Sequence, residues 1–275
     1  MSAPTILLDN GHTIPQIGFG TSPLNDKEVA PLIVAAIEAG YRHIDTAYRY
    51  DNEKGVGQGI RDSGIERESL FVTTKLDGQF QGEDRAIGGL EESLRRLGLE
   101  YVDLLLIHWP LPQRDEYIST WKTFEKLVAA GKTRSIGLSN FKPAHIDRLL
   151  AEDTIRPTVN QIQLNPRITR PEQRVYNSEQ GIVTEAYSPL GAGSDLLEDS
   201  TLETIGAKYG KTPGQVVLRW HIELGIVAIP RSANPGRIAQ NINIFDFELT
   251  KDEIATISAL DTGDEQGVDS DKTGH

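Results

Sequence analysis

Three ionisable residues, Asp45, Lys75 and His108, each close a run of largely apolar residues. An acid, an amine and an imidazole that meet in one place could bind a carbonyl oxygen and move a proton. A tyrosine beside the ammonium would have its phenolate stabilised, so its pKa is expected to fall below the ordinary value of about 10. Tyr48 and Tyr50 both follow Asp45 in the stretch HIDTAYRYDNE, and their spacing alone does not choose between them.

Further polar residues stand where other apolar runs end. They are Thr21, Ser139 with Asn140, Gln161, Tyr187 with Ser188, and Arg231 with Ser232. Any one of these polar residues could simply be where the chain becomes exposed to solvent at the end of a strand. Solvent exposure explains less well why the set includes an acid, a lysine and a histidine. Because no residues have the spacing of a local metal site or of an activated serine, we expect no metal.

These residues can converge only if the apolar runs are strands of one sheet. Eight such runs occur, at 17–20, 41–46, 70–75, 102–108, 135–140, 159–165, 181–188 and 225–230. Segments with helical spacing lie between them, at 27–39, 83–98, 121–128, 144–151, 200–209 and 213–223. Near-continuous apolar strands that alternate with helices indicate a parallel sheet buried on both faces. We therefore predict an α/β fold, a (β/α)8 TIM barrel, as a single domain over residues 1–275, with catalytic groups at the C-terminal ends of the strands.

Two segments with glycines need a separate interpretation. GVGQGI at 55–60 does not follow a strand and lacks the G-x-G-x-x-G spacing, so it is predicted to be a helix and not a phosphate loop. The opening stretch ILLDNGHTIPQIGFGT is predicted to form a β-hairpin with a type I′ turn at Asn10-Gly11. This hairpin would close the floor of the barrel.

The composition excludes several classes of protein. Lys and Arg number 28 against 40 Asp and Glu, and the net charge of −12 argues against nucleic acid or an anionic membrane as partner. The absence of cysteine excludes disulfides, thiolate zinc sites and a cysteine nucleophile. The N-terminus lacks the features of a signal peptide, and no apolar stretch approaches the roughly 20 residues of a membrane span. The protein is therefore expected to be soluble and cytoplasmic.

Eight segments resemble, in order, the motifs of the aldo-keto reductase family. They are GFGT (18–21), GYRHIDTAYRYDNEKGVGQGI (40–60), LFVTTKL (70–76), LLLIHWP (104–110), SIGLSNF (135–141), NQIQLNP (160–166), AYSPLG (186–191) and IPRSANPGRIAQN (229–241). The sequence looks most similar to the bacterial branch that includes the 2,5-diketo-D-gluconate reductases. The resemblance implies a TIM barrel that binds NADPH without a Rossmann domain, reduces a small-molecule carbonyl substrate and is a monomer.

The resemblance also implies roles for individual residues. It assigns catalysis to Asp45, Tyr50, Lys75 and His108, and so favours Tyr50 over Tyr48. Tyr50 would protonate the carbonyl oxygen during hydride transfer, and together with His108 it would stabilise the developing oxyanion. The implied substrate-binding residues are Ser22, Tyr50, His108 and Trp109.

The implied cofactor-binding residues form a longer series along the chain. They are Thr21, Asp45, Ser139, Asn140, Gln161, Tyr187, Ser188, Pro189, Leu190, Gly191, Pro230, Arg231, Ser232, Arg237, Gln240 and Asn241. By resemblance, Ser139, Asn140 and Gln161 hold the nicotinamide carboxamide, and Tyr187 stacks on the ring. Arg231, Ser232 and Arg237 match the site of the adenosine 2′-phosphate, which two guanidinium groups can bind by paired hydrogen bonds.

The sequence departs from the family pattern at several positions. Arg231 stands where most relatives have lysine, and Gln240 stands where an acid is common. Ser22 replaces an aromatic residue, as does the pair Asp77-Gly78, and both changes are expected to open or polarise the substrate pocket. The acidic tail at 261–275 is expected, by resemblance, to fold over the barrel mouth. It lacks the spacing of a calcium-binding loop.

Two other functions compete with a carbonyl reductase. A glycosidase could use a carboxylate pair such as Asp45 and Glu185, but this leaves Lys75 and the arginines without a role. A cofactor sensor without catalysis would need the cofactor site but would not need Tyr50.

Overall fold

Eight parallel strands form one sheet that curls into a barrel. The computed structural model describes residues 3–83 and 85–275, so Asp84, inside the predicted helical segment 83–98, lies outside the described residues. After the hairpin strands β1 (Thr5–Leu7) and β2 (Thr13–Pro15), the barrel strands are β3 (Phe19–Gly20), β4 (His43–Asp45), β5 (Phe71–Leu76), β6 (Val102–Ile107), β7 (Thr133–Ser139), β8 (Val159–Gln163), β9 (Val183–Tyr187) and β10 (Val227–Ile229).

The sheet closes between its first and last strands. Neighbouring strands pair in sequence order from β3 to β10. Between the two edges, the Gly18 amide donates to the Ala228 carbonyl at 2.9 Å and the Gly20 amide donates to the Pro230 carbonyl at 3.0 Å. A Cβ at Gly18 or Gly20 would lie within 3 Å of Ile229, so glycine permits this close approach. The predicted (β/α)8 TIM barrel is confirmed.

Ten helices surround the barrel in the described part of the chain. They are α1 (Asp26–Ala39), α2 (Glu53–Asp62), α3 (Arg85–Leu97), α4 (Tyr117–Ala129), α5 (Pro143–Leu150), α6 (Pro171–Glu179), α7 (Ser200–Tyr209), α8 (Pro213–Glu223), α9 (Pro235–Ile242) and α10 (Lys251–Ser258). The GVGQGI segment lies inside α2, so the prediction of a helix there is confirmed. A Cβ at Gly55 or Gly59 would collide with the backbone of α1, which explains why these positions are glycine.

Three of these helices were not predicted, namely α6, α9 and α10. Each is short and buries only one or two residues, so each offers few apolar positions from which a helix can be recognised. Their start signals are clearer than their periodicity. Pro171 and Pro235 occupy the first turns of α6 and α9, and Thr250 forms a capping box with Glu253 at α10.

The N-terminal hairpin closes the barrel floor, as predicted, but its turn differs from the prediction. The Leu8 amide donates to the His12 carbonyl at 2.8 Å and the Gly11 amide donates to the Leu8 carbonyl at 2.9 Å. Gly11 has a positive φ of 85° and Asn10 does not, so the predicted type I′ turn is wrong. Three residues, and not two, reverse the chain.

Apolar side chains of the hairpin fill the lower end of the barrel. Leu8 and Ile14 are buried in one cluster with Phe71, Val159 and Val227, which begin β5, β8 and β10. The polar residues lie at the other end of the barrel, where the strands finish. None of the helices within residues 3–83 and 85–275 is long and apolar enough to cross a membrane.

Candidate active site

A cavity of about 870 Å³ opens at the C-terminal ends of the strands. Its volume lies at the upper end of the range for small-molecule sites. The residues predicted for the site line it, with one exception: they are Thr21, Ser22, Asp45, Tyr50, His108, Trp109, Ser139, Asn140, Gln161, Tyr187, Ser188, Pro189, Leu190, Gly191, Pro230, Arg231, Ser232, Arg237, Gln240 and Asn241. The exception is Lys75, which is buried beneath the cavity.

Lys75 and Asp45 form a buried ion pair. The Lys75 Nζ lies 2.6 Å from Asp45 Oδ1, and the two side chains are 0% and 5% exposed. Burial alone would lower the pKa of Lys75, but the charges of Asp45 and Tyr50 outweigh it and hold that pKa above its ordinary value. The ammonium therefore stays charged. It also donates to the Thr46 carbonyl at 3.0 Å, so its position is fixed by several bonds.

The same ammonium contacts Tyr50, on a short 3-10 turn that follows β4. Lys75 Nζ donates to Tyr50 Oη at 3.3 Å. Because the phenol oxygen accepts this bond, its own hydrogen is free to point into the cavity. The predicted lowering of the Tyr50 pKa is wrong for this structure: burial raises that pKa, and the charge of Lys75 opposes the rise without reversing it. Tyr50 therefore keeps its proton at neutral pH.

Tyr48 lies elsewhere. Its ring packs against Phe80, and the guanidinium of Arg96 lies 4.1 Å from the ring centroid. The Tyr48 hydroxyl accepts a hydrogen bond from Arg96 Nη2 at 3.1 Å. Tyr48 does not line the cavity. The structure thus brings Tyr50, and not Tyr48, to Lys75, which the sequence spacing had left undecided.

His108 faces Tyr50 across the cavity. The two rings meet edge to face with centroids 5.8 Å apart. Burial, followed by the positive charge of Lys75, holds the pKa of His108 well below its usual range, so the ring is neutral. The neighbouring Trp109 stacks on His108 with centroids 6.3 Å apart, and the ring of His275 packs against both.

Polar side chains join the ends of the next strands. The Asn140 amide donates to the His108 carbonyl and to Ser139 Oγ, each at 3.1 Å, and its oxygen accepts from Tyr187 Oη at 2.9 Å. Asn140 has a φ of 65°, a left-handed conformation that asparagine tolerates better than most residues. Gln161 Nε2 donates to Asp45 Oδ2 at 2.8 Å. These bonds link the ends of β6, β7 and β9 to one another, and they link β8 to the end of β4.

Two arginines that line the cavity are exposed. Arg231 follows β10, and Arg237 lies in the first turn of α9. The backbone N–H groups and dipole of a helix start favour an anion there, and two guanidinium groups add positive charge. Ser232 is buried between them, with its hydroxyl accepting from the Asn234 amide at 3.1 Å. Near β3, Thr21 Oγ1 donates to the Asp45 carbonyl at 3.0 Å.

The pair Asp77-Gly78 does not open the pocket, and this expectation is wrong. Neither residue lines the cavity. The Gly78 amide donates to an oxygen of His275 at 3.2 Å, and a Cβ at Gly78 would collide with His275 and Leu111. The tail therefore fills the place left by the small residue, whereas Ser22 does line the cavity, as expected.

The acidic tail folds over the barrel mouth, as expected. Lys142 Nζ bonds to Asp269 and Asp271 at 2.5 Å each, and Val268 lines the cavity. Sequence reasoning missed other lining residues, in the loop at 192–198 and at the start of α8. The glycines after AYSPLG were the available signal for that loop. No group of three or more potential metal ligands was found in the described ranges.

Comparison with known proteins identifies the family. The model of the aldo/keto reductase family matches residues 16–262. The chain belongs to the aldo/keto reductase family. The resemblance drawn from the sequence motifs is thereby confirmed.

Individual relatives match along nearly the whole chain. An aldo-keto reductase of Mycolicibacterium smegmatis is 47% identical over 269 residues, 97% of each chain. Methylglyoxal reductase DkgA of Salmonella typhimurium is 42% identical over 276 residues, 100% of each chain. Among solved structures, the Bombyx mori aldo-keto reductase in complex with NADP has a TM-score of 0.89 and 41% identity, and the match covers 95% of this chain and 94% of that one.

Proposed function

We propose that the protein is an NADPH-dependent carbonyl reductase that converts an aldehyde or ketone to the alcohol, with Tyr50 as proton donor. One observation carries the proposal. A protonated tyrosine faces the cavity while a buried ammonium, itself paired with Asp45, donates to its oxygen. This arrangement leaves the phenol hydrogen for a substrate oxygen and stabilises the negative charge that remains after the proton has left.

The residues around the cavity fit NADPH. Arg231, Arg237 and the start of α9 supply positive charge to the cavity, which suits the 2′-phosphate that distinguishes NADPH from NADH. Gln161 contacts Asp45, and Tyr187 contacts Asn140, so these lining residues offer an aromatic face and polar groups to a nicotinamide. When bound, NADPH supplies the hydride for the carbonyl carbon. The Bombyx mori relative, solved with NADP, supports this assignment.

The chain's own residues would bind the substrate oxygen and move the proton. Tyr50 donates its hydrogen to the oxygen, and neutral His108 offers a ring nitrogen to the same atom. As negative charge develops on Tyr50, Lys75 stabilises it at a distance of 3.3 Å, and Asp45 keeps that ammonium in place. Trp109 and Ser22 form walls of the cavity on the substrate side.

Substrate class, assembly and location belong to the same proposal. A small α-dicarbonyl or keto-sugar acid fits best, since a relative 42% identical over its whole length is named methylglyoxal reductase. We take the chain as a single domain that acts as a cytoplasmic monomer without nucleic acid or membrane partners.

A glycosidase is less well supported. Its second carboxylate would be Glu185, but Glu185 is fully buried and does not line the cavity, and Asp45 is bound to Lys75. Retaining and inverting glycosidases both need two carboxyl groups that reach the substrate.

The test is NADPH consumption by the wild-type protein across α-diketones, aromatic aldehydes, keto-sugar acids and keto esters. One mole of alcohol for each mole of NADPH oxidised is expected for at least one substrate. NADPH binding is measured alongside by quenching of tryptophan fluorescence. Failure to bind NADPH would refute the proposal, and binding without turnover on any carbonyl would favour a cofactor sensor.

A further inference from the structure

One buried carboxyl group near the catalytic residues has no role in the mechanism above. Glu185 lies in the middle of β9, two residues before Tyr187, and is 0% exposed. Alternation along the strand turns its side chain to the barrel interior, toward Gln161 and Asp45. A carboxyl group can be buried only if it is hydrogen-bonded or protonated, and the residues around Glu185 show that both conditions apply.

The amide of Gln161 connects Glu185 to Asp45. Gln161 Nε2 lies 2.8 Å from Asp45 Oδ2 and 2.8 Å from Glu185 Oε2. An amide nitrogen carries two hydrogens, and these two bonds use both. If the amide were flipped, its oxygen would face two carboxyl groups, so its orientation is fixed. Gln161 can then offer the cavity only its oxygen, which accepts a hydrogen bond.

The connection continues to the proton donor. Asp45 accepts from Gln161 with Oδ2 and from Lys75 with Oδ1, and Lys75 donates to Tyr50. The unbroken chain of bonds thus runs from Glu185 through Gln161, Asp45 and Lys75 to Tyr50.

We propose that Glu185 is a positioning residue of the reductase, which acts through Gln161 to fix the cofactor-facing oxygen of that amide and to hold Asp45 against Lys75. The inference rests on the proposed function, because it assigns a residue to that reaction. Glu185 touches neither the cavity nor the reacting atoms, so its influence must pass through its neighbours.

The surroundings of Glu185 keep it protonated. Burial, reinforced by the charge of Asp45, raises the pKa of Glu185 to about 8, while Gln161 and Lys75 oppose the rise. His43 also faces it, with Nε2 at 3.7 Å from Oε1, and burial lowers the pKa of His43 to about 4, so that ring is neutral. From β10, the paired residue is the apolar Val227.

Loss of this proton would oppose the reaction. Ionised Glu185 places a second negative charge beside Asp45, and this charge raises the pKa of Tyr50. Because Tyr50 must accept negative charge as it gives up its proton, reduction should slow as Glu185 ionises.

Two substitutions separate the bonding role of Glu185 from its charge. Glu185→Gln keeps an acceptor for Gln161 but cannot ionise. Its kcat/KM at pH 6.5 should stay within about threefold of wild type, and the alkaline loss of activity should move up by about one pH unit or more. Glu185→Leu removes the acceptor, so one amide hydrogen of Gln161 loses its partner and Asp45 alone holds the amide in place. Its KM for NADPH should rise about tenfold, with a fall in kcat.

Thr184→Val is the matched control. Thr184 is the adjacent residue of β9 and faces outward, where its hydroxyl accepts from Asn177 Nδ2 at 3.0 Å. This variant should lose stability but keep the wild-type KM, kcat and pH profile.

Each outcome decides the inference. A Glu185→Leu variant that folds with wild-type KM, kcat and pH profile would show that Glu185 only supports the fold. Should that variant fail to fold, the pH profile of Glu185→Gln decides, and a profile identical to wild type would overturn the proposal. Carbonyl reduction by the wild-type protein is measured before any variant is made, and its absence would instead refute the proposed function itself.

Discussion

The buried pair of Lys75 and Asp45 makes a quantitative prediction about stability. Breaking such a pair by removing one partner leaves an uncompensated buried charge, which costs about 3–5 kcal/mol. Lys75→Met leaves Asp45 with Gln161 as its remaining side-chain donor, in a site where the Asp45 side chain is only 5% exposed. We therefore expect this variant to lose about 3–5 kcal/mol of unfolding free energy.

A double-mutant cycle isolates the pair. Asp45→Asn removes the other charge, and the double variant contains neither, so it should be more stable than the Lys75→Met single variant. Activity should be lost in the Lys75→Met variant and in the double variant, because Tyr50 lacks the Lys75 ammonium in both. Unfolding in urea, followed by circular dichroism, gives the four free energies.

An exposed pair provides the control. Lys122 Nζ lies 2.9 Å from Glu152, but the two side chains are 51% and 45% exposed. Lys122→Met should therefore cost less than about 1 kcal/mol. The reasoning is refuted if Lys75→Met costs as little as this control, or if the costs of the two single variants simply add in the double variant.

Three further predictions concern the cofactor, the pH dependence of stability and the barrel floor. Arg231→Gly should weaken NADPH binding at least about tenfold relative to NADH, since one charged hydrogen-bond donor is lost; an unchanged ratio of dissociation constants would contradict the phosphate-site assignment. Glu185 has a pKa raised from 4.5 to about 8 in the folded protein, so its contribution to stability falls as pH rises between these values. Glu185→Gln removes that dependence. The difference in unfolding free energy between this variant and wild type should therefore shift in favour of the variant by up to about 4 kcal/mol between pH 4 and pH 8. If the two proteins show the same pH dependence, Glu185 is not a buried neutral acid. Ile14→Ala at the floor should cost about 2–5 kcal/mol in urea unfolding with KM unchanged, and a changed KM would show that the floor and the cavity are coupled.

The fold was predictable because the barrel depends on patterns that a single sequence displays. Each strand is an apolar run, and polar residues at or near its C-terminal end mark the rim, so Asp45, His108 and Gln161 could be placed together from the chain alone. The hairpin was predictable as an element, but its turn was not. Asn10-Gly11 suits a type I′ turn by residue preference, and the closed loop instead uses a positive φ only at Gly11.

Contacts between distant segments could not be predicted. Residue spacing alone did not choose between Tyr50 and Tyr48, because the choice depends on which ring the short turn brings to Lys75; only the family resemblance favoured Tyr50. The filling of the space beside Gly78 depends on His275, almost 200 residues away along the chain. The neutral state of Glu185 likewise follows from its burial against Asp45, which is a property of the closed barrel.

The measurement that tests the central claim most directly compares Tyr50→Phe with Tyr48→Phe. Each substitution removes one hydroxyl and keeps the ring, and only Tyr50 lines the cavity. Tyr50→Phe is expected to lower kcat for carbonyl reduction by about 10²–10⁴-fold, with NADPH binding and unfolding free energy close to wild type. Tyr48→Phe should leave kcat nearly unchanged, because it loses only the bond from Arg96. Carbonyl reduction by Tyr50→Phe at the wild-type rate, or an equal loss in both variants, would contradict the account.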